Sequence, residues 1–190
     1  MLLLPDDVRR SRLISDEYRK QQEELHTNPD YGVASQHYAA MVAKVMNTYG
    51  VERLLDYGAG KGRLGQTLMR EKLVDHAFKL QQYDPARPEW ADDPEPSEMV
   101  ACIDVLEHIE PSLIENVLDD LQRVTQSIGL FTIATTPAIK TLSDGRNAHL
   151  IIEGPQWWLP KILERWELHT FQKQPDGFLV LVMAKQVEVH

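Results

Sequence analysis

The stretch LLDYGAGKGRLG, from Leu54 to Gly65, combines a short apolar run with four closely spaced glycines. An apolar run that ends in glycines is typical of a strand that turns sharply into a helix, because glycine tolerates the backbone angles that such a turn needs. A turn of this kind presents backbone N–H groups at the start of the helix, where nucleotide ligands commonly bind. The stretch therefore predicts an α/β fold with a nucleotide site at this turn.

Three kinds of nucleotide loop can be compared with this stretch. A phosphate-binding P-loop fails, because Leu55 stands at its first glycine and Gly62 at its magnesium-binding hydroxyl. The dinucleotide spacing G-x-G-x-x-G is met between Gly60 and Gly65, so spacing alone leaves a nicotinamide or flavin open. Asp56 lies two residues before Gly58, where a carboxylate repels a pyrophosphate and attracts an ammonium or sulfonium group.

Composition narrows the class of protein. A chain of 190 residues with a net charge of −9 is expected to form one structural domain without a broad basic face for duplex DNA or an anionic membrane. The acidic charge also disfavours RNA, although it leaves RNA possible as a partner. Cys102 has no second cysteine to pair with and predicts a buried thiol in the cytoplasm, and neither MLLLPDD nor any other stretch is long enough for a signal or membrane segment.

Strand and helix patterns alternate along the chain. Strands are predicted at RLLDY, FKLQQY, MVACID and LFTIAT, with helices at residues 63–71, 111–126 and 155–165. WELHTFQ and GFLVLVMA, separated by KQPDG, predict a terminal antiparallel hairpin. The pattern indicates a mostly parallel open twisted sheet with helices on both faces.

The first fifty residues carry two helix patterns, at residues 6–26 and 35–49, so we divide the chain into an N-terminal helical part, residues 1–50, and a sheet-containing part, residues 51–190. A proline-rich and acidic segment, DPARPEWADDPEPSE, predicts a loop between the second and third strands. That loop is too short to hold a further helix and strand.

LLDYGAGKG resembles the first motif of the Rossmann-like (class I) S-adenosylmethionine-dependent methyltransferases. QQYDP resembles that family's second-strand motif, CIDVLEHIEP its fourth-strand segment, and the later histidine, helix and hairpin follow the same order over residues 51–185. The small size is similar to methyltransferase-like proteins of bacteriophages. The resemblance implies S-adenosylmethionine as cofactor, bound by Asp56, Gly58, Ala59, Gly60, Gly62, Asp84, Pro85, Asp104 and Val105.

NPDYGVASQHY resembles the lid that closes over the cofactor in this family, which makes Tyr31 and His37 candidate contacts and residues 1–50 a lid over the site. A plain connection between two helices is the alternative. The proline-rich loop stands where the family usually has the elements of its adenine pocket. We therefore expect the adenine pocket of this protein to be lined by Trp90, Asp92 or Asp93.

Asp104, Glu107 and His108 follow a central strand at helical spacing, and with His149 they form a possible site for Mg or Mn. The pattern resembles the metal-assisted methyltransferases of small RNA and of the ubiquinone pathway, although Asp104 stands where those carry glutamate. Hydrogen bonding or capping of the turn is the alternative role. Without a metal, His108 and His149 are candidate general bases, and Asp104 is the third candidate catalytic residue.

The remaining signals concern the methyl acceptor. Arg146, in a polar loop, could recognise an anionic or carbonyl group, and Trp157 and Trp158 could stack on an acceptor or pack in the core. The leading hypothesis is a methyltransferase acting on an oxygen or nitrogen of a small polar metabolite or nucleotide. A metal-assisted RNA or nucleotide 2′-O-methyltransferase and a non-catalytic cofactor-binding module remain alternatives. The acceptor and the oligomeric state are left open.

Overall fold

A six-stranded sheet forms the centre of the computed structural model, which describes residues 13–29 and 31–185. Its strands are β1 (Arg53–Tyr57), β2 (Lys79–Tyr83), β3 (Ser97–Ile103), β4 (Thr125–Ala134), β5 (Trp166–Lys173) and β6 (Gly177–Ala184). Their order is β2-β1-β3-β4-β6-β5. The first four run parallel, and β6 and β5 form the antiparallel hairpin. The predicted fold class, an open α/β sheet of this kind, is confirmed.

Five α-helices accompany this sheet in the described part of the chain. They are α1 (Asp16–Leu25), α2 (Ala39–Tyr49), α3 (Arg63–Arg70), α4 (Ile114–Val124) and α5 (Pro155–Arg165). Neighbouring residues of a strand face opposite sides, so Leu54 packs in the cluster that holds α2 and α3, and Leu55 in the cluster that holds α4 and α5. Both faces of the sheet are therefore covered, as its long apolar runs predicted.

Some element boundaries differ from the predictions by a few residues. The helix predicted at residues 111–126 spans Ile114–Val124, and the Thr125 hydroxyl donates to the Leu121 carbonyl at 2.7 Å. The strand β4 follows with no connecting residue and so begins before the predicted LFTIAT.

The two N-terminal helices also differ from their predicted spans. The helix predicted at residues 35–49 is divided into a 3-10 helix, Ala34–Tyr38, and α2, which ends at Gly50 in the left-handed conformation (φ 64°). The described part of the helix predicted at residues 6–26 is α1, whose first turn is capped by the Ser15 side chain. Residues 6–12 of that prediction lie outside the described residues.

The connection from β2 to β3 is short, as the proline-rich segment predicted. Residues 84–96, all of which the structure describes, hold one 3-10 turn, Pro88–Trp90, and no further helix or strand. β2 therefore forms an edge of the sheet. No helix within residues 13–29 or 31–185 has the length and apolar character needed to cross a membrane.

The two adjacent tryptophans of α5 have different surroundings. Trp158 is fully buried in the cluster beneath α4 and α5, and its indole N–H donates to the Glu153 carbonyl at 3.2 Å. Trp157 is partly exposed, and the Lys161 ammonium lies 4.7 Å from its ring centre. Trp158 is thus a core residue, which confirms packing as its role.

We expect Trp158→Ala to lower the free energy of unfolding by about 3–5 kcal/mol, because it leaves a large cavity in the core. The matched variant Trp157→Ala should lower it by less than about 2 kcal/mol, since that ring is already partly exposed. Urea unfolding of the two variants checks this difference. Equal losses would contradict the assigned packing.

Candidate functional site

A cavity of about 710 Å³ lies at the carboxyl ends of the parallel strands. Its lining includes the turn after β1, the ends of β2 and β3, the loop after β4 and part of the N-terminal region. Ligands of open α/β sheets bind at this edge, because the strand ends and the following turns meet there. The sequence placed its candidate site at the same edge.

The turn after β1 is held against the end of β2 by backbone hydrogen bonds. The N–H groups of Gly58 and Ala59 donate to the Tyr83 carbonyl at 2.8 and 2.9 Å. The Gly60 N–H donates to Oδ2 of Asp84 at 2.9 Å. Gly58 and Gly60 have φ angles of 78° and 55°, which favour glycine. The turn therefore needs both glycines and the Asp84 carboxylate.

Asp84 closes its own turn as well, because its Oδ1 accepts from the Ala86 N–H at 2.9 Å. Burial raises the pKa of this carboxyl, while the charge of His26 and the bonds from Ala86 and Gly60 lower it. A carboxylate can accept about four hydrogen bonds in all. Asp84, Pro85 and Ala86 line the cavity, and Asp84 retains acceptor capacity for ligand hydroxyls.

Two predicted cofactor residues lie just behind the lining. Asp56 is buried at the end of β1, and its Oδ2 has no hydrogen-bond partner. Burial, and then the charge of Asp84, raises the pKa of Asp56 to about 7. Gly62 packs beneath Gln82 and Trp90, so a Cβ there would lie 2.4 Å from the Gln82 amide nitrogen. Neither Asp56 nor Gly62 is a lining residue, whereas Gly58, Ala59 and Gly60 are.

The N-terminal region lies over the turn and forms one wall of the cavity. Tyr31 and His37, the two contacts predicted for the lid, both line it. The Lys61 ammonium donates to the backbone carbonyls of Asn28 and Tyr31, the latter at 2.7 Å. Lys61, within the glycine-rich turn, therefore stabilises the position of the N-terminal region and has no phosphate-binding role in this arrangement.

A chain of hydrogen bonds joins the same wall to the end of β3. The Tyr31 hydroxyl donates to Gln22 at 2.8 Å, and the Gln22 amide donates to the Tyr18 hydroxyl at 2.6 Å. Tyr18 in turn donates to the His108 carbonyl at 2.5 Å. Burial raises the pKa of both phenols, so they stay protonated and act as donors.

Asp104 stands at the end of β3 in a left-handed conformation (φ 52°), which is unusual for a residue other than glycine. Its Oδ1 accepts from the Thr132 hydroxyl at 2.6 Å, and burial raises the pKa of the carboxyl. The following turn is a short 3-10 helix, Leu106–His108. Asp104 therefore does not share a helical face with Glu107 and His108, contrary to the prediction from the spacing. Asp104 and Val105 both line the cavity.

Glu107, His108 and His149 form a tight cluster, in which one ligand atom of each lies within 4.8 Å of the others. Asp104 is not a member of it. Oε1 of Glu107 accepts from the Ala134 N–H at 2.9 Å, whereas Oε2 is buried with no partner. Burial, and then the charge of Asp104, raises the pKa of Glu107 to about 8.

Both histidines of the cluster are held in one tautomer. Nδ1 of His108 donates to the Ala148 carbonyl at 2.8 Å, and Nδ1 of His149 donates to the Thr136 carbonyl at 2.6 Å. A carbonyl oxygen only accepts, so each Nε2 carries a free lone pair when the ring is neutral. Burial, and then His149, lowers the pKa of His108 to about 4, which keeps that ring neutral. Both rings line the cavity, with their centres 4.8 Å apart.

Several predicted contacts lie elsewhere. Arg146 donates to Asp144 at 2.7 Å and to Gln21 at 3.3 Å, so it ties its loop to α1. The residues predicted to contact the adenine or the acceptor that do not line the cavity are Arg146, Trp90, Asp92, Asp93, Trp157 and Trp158. The proline-rich segment supplies three lining residues, Asp84, Pro85 and Ala86.

His26 is a lining residue that the sequence did not indicate. Its ring lies against Gly32 and Gly60, edge-on to Tyr31 at 5.1 Å, and its buried Nδ1 has no partner. Burial lowers the pKa of His26, and the charge of Asp84 opposes that shift. No local sequence pattern marks it, because it reaches the turn through the fold of the N-terminal region.

No protein-family model matches the sequence, and no curated protein matches it either. Solved structures do match. The 1,6-didemethyltoxoflavin-N1-methyltransferase of Burkholderia thailandensis, solved with 1,6-didemethyltoxoflavin and S-adenosylhomocysteine, is similar over 98% of this chain and 93% of its own, with a TM-score of 0.60 and 16% identity.

Two further structures extend the likeness. One is magnesium protoporphyrin IX methyltransferase from Synechocystis PCC 6803, solved with S-adenosylhomocysteine bound. The match covers 80% of this chain and 84% of that protein's chain, with a TM-score of 0.59 and 12% identity. A SAM-dependent methyltransferase from Aquifex aeolicus covers 88% and 98%, with a TM-score of 0.53 and 16% identity. At these identities the likeness establishes a common fold, the Rossmann-like fold that the sequence motifs implied.

We expect Gly58→Ala to abolish ligand binding at the turn, because its Cβ would lie 2.4 Å from a methyl group of Val105 and its φ is 78°. Gly50→Ala is the matched control, since Gly50 also has a positive φ, 64°, but nothing within 4 Å of the added carbon. The control should lose about 1 kcal/mol of stability and keep its binding. Calorimetric titration with S-adenosylhomocysteine and urea unfolding measure the two effects. Equal binding by both variants would contradict the assigned geometry.

Asp56→Asn should change how stability depends on pH. The pKa of Asp56 is about 7 in the folded protein and about 3.9 in an unfolded chain. At a pH between these two pKa values, unfolding therefore releases a proton. The contribution of Asp56 to the free energy of unfolding consequently falls as the pH rises from about 4 to about 7. The variant should gain up to about 4 kcal/mol over the parent protein at pH 8 and almost nothing near pH 4. Urea unfolding across this range tests it, and a gain independent of pH would refute the assignment.

Proposed function

We propose that this protein is an S-adenosylmethionine-dependent methyltransferase that acts on an oxygen or nitrogen of a small polar metabolite or nucleotide. One observation carries the proposal: a single cavity joins the glycine turn and Asp84 to the side chains of Asp104, His108 and His149. A cofactor held by the first group would present its methyl carbon toward the second group. The residues on both sides are those that the sequence motifs named.

The cofactor half of the cavity suits an adenosine ligand that carries an amino acid group. Asp84 would accept from the ribose hydroxyls with the acceptor capacity that Gly60 and Ala86 leave. The turn from Gly58 to Gly60 would lie along the methionine part, close to its backbone. Pro85 and Val105 would flank the adenine, and Tyr31 in the lid, residues 1–50, would cover the ligand. Residues 51–190 would supply the cofactor and catalytic groups of the same structural domain.

The other half of the cavity suits methyl transfer. Bound S-adenosylmethionine would supply its methyl group to the acceptor lone pair, and the cofactor would leave as a neutral thioether. The acceptor proton would pass to a base, and either the Asp104 carboxylate or the His149 imidazole would serve as that base. His149 lines the cavity together with Thr136 and Lys140. This space beyond the cofactor half supports an enzyme over a module that only binds the cofactor.

A metal-assisted O-methyltransferase is the second candidate function, and the cluster of Glu107, His108 and His149 favours it. One carboxylate with an unpartnered Oε2 and two imidazoles form a donor set that would fit Mn²⁺ bound with water better than Mg²⁺, which prefers oxygen ligands. A bound cation would lower the pKa of an acceptor hydroxyl. The net charge of −9 supports a small nucleotide over RNA as the acceptor of such an enzyme.

Asp84→Asn should weaken binding of S-adenosylmethionine roughly 10- to 100-fold, because an amide accepts hydrogen bonds less strongly than a carboxylate. Asp92→Asn removes the same charge nearby, at a side chain outside the cavity lining, and should bind like the parent protein. Calorimetric titration with S-adenosylmethionine and S-adenosylhomocysteine measures both. The proposal fails if the parent protein binds neither ligand.

His149→Ala should abolish Mn²⁺ binding if the cluster holds a metal, since it removes one of three donors. His169→Ala, which alters an exposed histidine on β5, should leave Mn²⁺ binding unchanged. Electron paramagnetic resonance of free Mn²⁺ in the presence of S-adenosylhomocysteine measures the bound fraction. Absence of Mn²⁺ binding by the parent protein would leave the metal-free mechanism.

A further inference from the structure

A second cavity, of about 510 Å³, lies beside the first on the side of the terminal hairpin. Its lining consists of Tyr38, Asp104, Ile133, Ala134 and residues 172–177. Asp104, Ala134 and Asp176 line both cavities. The two spaces therefore share a wall, and the candidate base Asp104 belongs to that wall.

Two lining residues of the second cavity that lie far apart in the sequence contact each other. The Tyr38 hydroxyl donates to Oε1 of Gln174 at 2.8 Å, which joins the N-terminal wall to the turn between β5 and β6. Burial, and then the charge of Asp104, raises the pKa of Tyr38, so the phenol remains a donor. The N-terminal wall thus contacts both cavities, over the glycine turn through Tyr31 and over the hairpin through Tyr38.

The lining of the second cavity is polar and slightly acidic. It carries the carboxylates of Asp104 and Asp176 against one cation, Lys173, together with the amides of Gln172 and Gln174. Oδ1 of Asp104 accepts from the Thr132 hydroxyl, so Oδ2 can accept from a bound ligand. Such a lining suits groups that donate hydrogen bonds and disfavours carboxylates and phosphates, because like charges repel at short range.

We propose that the second cavity binds the methyl acceptor and selects acceptors that are neutral or cationic, with hydroxyl or ammonium groups remote from the reacting atom. Asp104 would meet the acceptor at the shared wall, where the reacting oxygen or nitrogen faces the first cavity. The inference rests on the proposed function, because the first cavity must hold the cofactor for the second to supply the acceptor. It disfavours phosphate-bearing nucleotides and RNA as methyl acceptors.

The selection can be tested with three probes that share a phenol ring and differ in charge: tyramine, tyrosol and 4-hydroxyphenylacetate. Each is titrated calorimetrically into the protein saturated with S-adenosylhomocysteine. We expect tyramine and tyrosol to bind, and tyramine to bind roughly tenfold more tightly than 4-hydroxyphenylacetate. The proposal is overturned if none of the three binds, or if the carboxylate binds as well as the amine.

Two tryptophan variants on one strand place the binding in the second cavity. Gln172→Trp fills that cavity and should abolish tyramine binding, whereas Thr170→Trp lies two residues away outside its lining and should not. Both variants should bind S-adenosylhomocysteine like the parent protein. Tyramine binding that survives Gln172→Trp refutes the acceptor site. Failure of the parent protein to bind S-adenosylhomocysteine refutes instead the proposed function.

Discussion

The hydrogen bond from the Gly60 N–H to the Asp84 carboxylate, 2.9 Å long, holds the turn after β1 against the end of β2. The cavity depends on it, because that turn and the end of β2 form two of its walls. Parallel pairing of Tyr57 with Tyr83 brings the two strand ends level, and the Tyr83 carbonyl accepts from the Gly58 and Ala59 N–H groups that follow. A buried carboxylate is stabilised when backbone N–H groups donate to it, so the same contacts shape the turn and keep Asp84 in place.

The short connection between β2 and β3 has a structural consequence for this cavity. With no further strand beyond β2 within residues 84–96, the N-terminal region supplies part of the enclosure through Leu13, Ile14 and Tyr31. Lys61 fastens that region from within the glycine turn. One side chain of the glycine turn therefore joins that turn to the N-terminal region by hydrogen bonds.

The unsatisfied polar atoms of the molecule gather at the same place. Four side-chain atoms of the described residues are buried without a partner, and three of them, on His26, Asp56 and Glu107, belong to residues in or directly behind the cavity wall. A buried polar atom without a partner lowers stability. Their concentration here supports the proposed ligand site, because a bound ligand could supply the missing hydrogen-bond partners.

The sequence by itself determined the fold class and the glycine-rich turn after β1, because both depend on local patterns. Alternating apolar runs predicted a sheet covered on both faces, and the spacing from Gly58 to Gly62 predicted a tight turn beside Asp56. Contacts between distant segments decided the rest. Asp104 leaves its expected helical face because its backbone is left-handed, Lys61 acts on residues about thirty positions earlier, and Tyr38 meets Gln174 across the sheet edge. Sequence spacing measures separation only within one element, so only the tertiary structure could bring these side chains together.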